Sequence, residues 1–135
     1  MSTKNPLLMP TVINSHLANV YPALSMMAGM QLEVFTAIGE SGITLDTVAT
    51  ELNVHPLKLR PLLYALVCAN LLRVKEPLFY NTEEAKEFLI KGKNRYIGSM
   101  HSAYSDLWSA TMHTADSIRQ GSPIAEHNFS KMTHD

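Results

Sequence analysis

Residues 44–82 read TLDTVATELNVHPLKLRPLLYALVCANLLRVKEPLFYNT. Thr44 is a good N-cap for a helix over Leu45–Leu52, with Val48 and Leu52 pointing inward. His55 and Pro56 open the next helix, because proline tolerates the first helical turn. Its core face is predicted to carry Leu59, Leu62, Leu63, Leu66 and Leu71. Arg73-Val74 and Phe79-Tyr80 then flank Glu76-Pro77, the pattern of two short strands about a turn. Helix, tight turn, helix and small hairpin make a winged helix-turn-helix. The predicted fold is mainly α, with a short two-stranded wing and flanking N- and C-terminal helices.

On the N-terminal side, residues 1–10 read as a frayed arm, followed by a helix from Thr11 to about Val20. Pro22 is expected to start a new helix that runs to about Ile38 and stops at Gly39. That helix has two apolar faces. Leu24, Met27, Ala28, Phe35 and Ile38 form one, and Met26, Met30, Val34 and Ala37 the other. A stripe so wide implies burial on two sides. Either one side meets a partner, or the helix runs through the middle of a single core.

On the C-terminal side, Asn81 with Glu84 forms an N-terminal box for a helix over 82–90, ended by Gly92. A long helix over 97–120 follows. Met100, Tyr104, Leu107, Trp108, Thr111, Met112, Ala115 and Ile118 share one face. Ser102, Asp106, Ser109, His113, Asp116 and Gln120 share the other. Gly121 and Pro123 break it, and 124–135 start a further segment. The expected organisation is an arm and first helix over 1–20, a winged-helix domain over 21–123, and the beginning of a linker over 124–135.

The 135 residues are 46% hydrophobic and 17% charged, which places the chain among globular proteins with one real core. So little charge suggests surface covered by a partner. The net charge of −1 gives no global pull toward nucleic acid. Charge is unevenly placed, with eight Lys and Arg against four Glu over residues 58–95. Cys68 is the only cysteine, so no internal disulfide forms, and it is expected to be a small buried hydrophobe. There is neither a signal-peptide pattern nor an apolar run long enough for a membrane span, so the expected location is cytoplasmic.

The chemistry that is missing narrows the function. The chain has no GxGxxG, P-loop, GxSxG or Cys/His zinc spacing, and no alternation of strands and helices. This argues against a self-contained enzyme. The histidines do not reverse that conclusion. His55 reads as a cap, and His113 with Asp116 as a surface pair. His101 borders the Met100/Tyr104 face. Eight methionines suit irregular contact surfaces and small-molecule pockets as well as an ordinary core. A duplex-binding regulator is the alternative reading. For groove and phosphate contacts it has only Lys58, Arg60, Tyr64 and Asn70 on the second helix, which is rich in Leu, and Arg73 and Lys75 on the hairpin.

The order LEVFTAIGESG, TLDTVATELNVHPLKLRPLLYALVCANLLRV, FYNTEEAKEFL and NRYIGSMHSAYSDLWSATMHTADSIRQGSP resembles the N-terminal dimerisation domain of S-adenosylmethionine-dependent small-molecule O-methyltransferases. The Trp-bearing helix and the R-x-G-x-P ending at Arg119, Gly121 and Pro123 are its most specific parts. The resemblance covers roughly residues 15–130. It implies a homodimer that interlocks across a two-fold axis, and a lid over the pocket of a small, aromatic hydroxyl acceptor. By position, Met100, His101, Tyr104, Trp108 and Met112 would wall that pocket, while Met26, Met30 and Val34 would make dimer or partner-pocket contacts. Their role would be shape and apolar contact. In the family the cofactor loop and the His general base lie on a following catalytic domain. This chain is therefore expected to bind no cofactor and no metal, and to have no catalytic residue of its own.

Overall fold

The computed structural model describes residues 7–123. The elements run α1 (Thr11–Leu32), α2 (Val34–Ile38), β1 (Ile43–Thr44), α3 (Leu45–Leu52), α4 (Pro56–Cys68), β2 (Leu72–Lys75), β3 (Leu78–Asn81), α5 (Glu83–Phe88), a 3-10 turn (Gly98–Met100), α6 (His101–Thr111) and α7 (Thr114–Gln120). They form two compact units that divide between Gly98 and Ser99. Among the described residues no helix is long and apolar enough to cross a membrane.

Residues 44–82 fold as the two capped helices and hairpin that the sequence predicts, except that α4 ends at Cys68 and leaves Leu71 beyond it. The Thr44 hydroxyl accepts from the Thr47 N–H at 3.3 Å, which satisfies one of the orphan donors at the start of α3. The His55 Nδ1 accepts from the Leu57 N–H at 3.2 Å at the start of α4. On α4, Leu59, Leu63 and Leu66 are buried, and Leu62 packs against them half-buried. The wing has one strand more than expected. Ile43 and Thr44 pair antiparallel with Phe79 and Leu78, so the sheet order is β1-β3-β2. Val74 on β2 pairs with Phe79 along the other edge of β3.

Phe35, Leu63, Leu66, Leu72, Val34 and Val48 are the largest fully buried side chains, and they bring α2, α3, α4 and β2 together. Each contributes about 1.5–3 kcal/mol by leaving water. Gly29 lets α1 into this core. A Cβ there would lie 3.0 Å from Phe35 Cε2 and 3.2 Å from Leu66 Cδ1.

Five expectations are corrected. Pro22 does not start a helix but lies inside α1, which runs unbroken across the expected boundary at residue 20. The break falls at Glu33, whose φ of 61° ends α1 and begins α2. The Glu33 N–H donates to Met30 O at 3.2 Å and its carbonyl accepts from the Ala37 N–H at 3.1 Å. This reversal turns Val34, Phe35 and Ile38 inward.

Asn81 does not cap α5. Thr82 does, accepting from the Ala85 N–H at 3.4 Å, while Asn81 is buried. The expected helix 97–120 is two helices. The His113 N–H donates to Ala110, only three residues back, and the Thr114 hydroxyl takes the Thr111 carbonyl, which competes with the helical ladder. Cys68 is exposed. It lies two residues past Leu66, about 200° round the helix from the core row. The expected arm partly lies outside the described residues, as does the segment 124–135.

Candidate functional site

Two surfaces in this chain carry apolar side chains that its own fold leaves uncovered. The first is α1. Its 22 residues contain no Asp, Glu, Lys or Arg. Every residue from 7 to 22 is exposed, including Leu7, Leu8, Val12, Ile13, Leu17 and Tyr21. Leu17 is 66% exposed. Farther along, Met27 and Gly29 are buried, and Met26 and Met30 are half-buried. Of the three residues assigned to dimer contact, Met26 and Met30 keep accessible surface. Val34 is 0% exposed and belongs to the chain's own core.

The second surface is on the unit formed by α6 and α7. Met100, Tyr104, Leu107, Met112 and Ile118 are exposed, Met112 at 84%. His101 and Trp108 are half-buried. The Tyr104 and Trp108 rings meet edge to face with centroids 6.2 Å apart, one turn apart on α6. The row Met100, Tyr104, Leu107 and the aromatic pair therefore present mainly apolar and aromatic contact area. His113 Nδ1 lies 3.9 Å from Asp116 Oδ2, and Arg119 donates to the same carboxylate at 3.1 Å, so this is an ordinary exposed charge cluster.

A third feature is a notch of about 620 Å³ lined by Glu40, Glu83, Glu84, Lys86, Glu87, Phe88, Lys93, Asn94 and Arg95. Three of its four glutamates pair with its three cations. Lys93 pairs with Glu40, Arg95 meets Glu87 at 2.9 Å, and Lys86 meets Glu83 at 3.3 Å. The Arg95 guanidinium also lies over the Phe88 ring, 4.6 Å from its centroid. The hydrogen bond from Lys93 holds the Glu40 carboxyl below its ordinary value. The Glu33 carboxylate, 2.6 Å from Lys91 Nζ, likewise raises the Lys91 ammonium. Such a notch is open and mostly charged, and Phe88 is its one apolar lining residue, where an aromatic ligand requires many.

Tyr64 ties the polar face of α4 to the turn of the wing. The Tyr64 hydroxyl bonds the Glu76 carboxylate, which raises the Tyr64 phenol above its usual range. The Arg60 guanidinium lies 5.1 Å from the Tyr64 ring centroid. A duplex would have to displace these contacts and would meet Glu76, so the geometry does not favour the DNA reading. Among the described residues no three His, Cys, Asp or Glu side chains are grouped to hold a metal ion.

The sequence pattern of the O-methyltransferase dimerisation domain matches residues 15–91. No curated protein matches the chain by sequence. Solved structures share its fold. An O-methyltransferase family protein from Burkholderia thailandensis superposes with a TM-score of 0.77 at 21% identity, covering 96% of this chain and 39% of that one. Human N-acetylserotonin methyltransferase, solved with S-adenosylmethionine, gives 0.76 at 20% identity, covering 90% and 37%. The N,N-8-amino-8-demethyl-D-riboflavin dimethyltransferase of Streptomyces davawensis gives 0.70 at 23% identity, covering 84% and 35%. The chain thus spans well under half the length of these proteins.

Proposed function

The chain belongs to the O-methyltransferase dimerisation-domain family, and from that membership we propose that it pairs two copies of a methyltransferase and walls the acceptor pocket. The observation that carries this reading is α1, a helix without Asp, Glu, Lys or Arg whose apolar residues from Val12 to Tyr21 are exposed among the described residues. An exposed apolar surface this long on a folded domain marks an association site. A two-fold interface places a patch against its own copy, where any charge near the axis would meet itself, and α1 has none to repel.

In the same reading Met100, Tyr104, Trp108 and Met112, with His101 at the border, supply shape and apolar contact to a small aromatic acceptor. Aromatic rings and methionine suit that task, since stacking and polarizable contact need no proton transfer. Met26 and Met30 reach from α1 toward the partner's pocket. The methyl donor is S-adenosylmethionine, held by a catalytic domain rather than by these residues.

Two experiments test this. A photo-activatable residue placed at Leu17 should give a covalent dimer on irradiation, and failure to cross-link would contradict the pairing. Titration of S-adenosylmethionine into residues 1–135 should release no binding heat, and micromolar binding would contradict the division of labour.

A further inference from the structure

The two halves of α1 differ in what holds them helical. Residues 23–32 are rich in Ala, Leu, Met and Gln, and bury Met27 and Gly29 against the core. Residues 11–21 read TVINSHLANVY, and nine of these eleven are weak helix formers. They have no side-chain N-cap and no acidic residue in the first turn. With no charged side chain they also form no ion pairs along the helix. All of them are exposed, so the body of the domain gives them no packing. Pro22 separates the halves, and its missing N–H leaves the Ala18 carbonyl without its intrahelical donor.

An isolated helix of this length and composition is marginal in water, and helices in proteins draw most of their stability from packing. We propose that residues 11–21 become a stable helix only when a second copy of this chain covers them, with Pro22 as the joint between a permanent and a conditional half. The occupant is a second copy because the face carries no Asp, Glu, Lys or Arg and, from residue 15 on, belongs to the segment that matches a dimerisation domain. Association then includes a folding step, and the dimer is opposed by the entropy of ordering this segment. This inference rests on the dimer reading of the previous section.

The test is amide hydrogen exchange on residues 1–135 at two protein concentrations, with the mass followed by sedimentation. Above the dimer dissociation constant, residues 11–21 should be protected. On dilution to monomer their exchange should accelerate by on the order of tenfold or more, while α4 is unchanged. Pro22→Ala should slow exchange of 11–21 in the monomer, because it restores the missing donor. A dimer whose dissociated monomer still protects 11–21 as strongly as 23–32 would overturn the conditional helix and leave the dimer reading intact. A chain that stays monomeric at every concentration would remove both.

Discussion

The side-chain amide of Asn81 donates a 2.9 Å hydrogen bond to the backbone carbonyl of Gly39, and the same nitrogen donates to Phe35 O at 2.9 Å. Asn81 ends β3 and is 3% exposed, so one buried nitrogen bonds the Phe35 carbonyl inside α2, which also accepts from the Gly39 N–H, and the Gly39 carbonyl just past it, and ties that helix to the sheet. Asn81→Ala leaves both carbonyls without this donor. It should lower stability by about 2–3 kcal/mol, read from urea unfolding. A loss under about 0.5 kcal/mol would mean that the tie contributes nothing.

Gly29 is where α1 approaches Phe35 and Leu66 most closely. Gly29→Ala gains about 1 kcal/mol of helix propensity. It also presses a methyl group onto a ring edge 3.0 Å away, and overpacking of this kind costs about 1–3 kcal/mol. A net loss is expected in thermal unfolding, and net stabilisation would show that the contact has slack.

The salt link between Glu40 and Lys93 sets a pH dependence. Glu40 has a folded-state pKa below its unfolded one, so its contribution is complete above the ordinary glutamate value of about 4.3. It is lost as pH falls through the lower folded value. Glu40→Gln should therefore take away a contribution at neutral pH that is small because the pair is exposed, leave stability unchanged well below the folded value, and so flatten the acid limb between them. An unchanged acid limb would contradict this. Lys91 has the opposite sign. Its pKa is raised by Glu33, so its contribution is present at neutral pH and is lost only as alkali titrates the ammonium.

Sequence reading was strongest where a side chain acts on its own neighbours. Thr44 and His55 cap the helices that follow them, and Leu59, Leu63 and Leu66 lie on one helical row, all within a few residues of the pattern that reveals them. It was weakest where tertiary contacts choose between local options. Asn81 and Thr82 are both good caps, and only the carbonyls of α2, more than forty residues away, draw Asn81 inward. Glu33 in the left-handed region has no sequence signal, since that conformation favours glycine. The apolar period over 97–120 continues through the break at His113, so periodicity alone could not reveal it. The apolar surface of α1 was legible as doubly apolar, but its exposed part begins before Pro22, not after it.

Among the described residues of the α6–α7 unit, Met112 is the most exposed large apolar side chain. Met112→Gln should change unfolding stability by no more than about 0.5 kcal/mol, as is usual for surface substitutions. A large loss would mean that Met112 is packed in the folded chain and is not free to wall a pocket.

Leu17 is the most direct handle on the account's central claim. Sedimentation equilibrium of residues 1–135 across concentration should show a dimer, and Leu17→Glu should convert it to a folded monomer with α4 still protected from exchange. A wild-type chain that remains monomeric throughout, or a Leu17→Glu variant as dimeric as the parent, would contradict the assignment of α1 as the pairing surface.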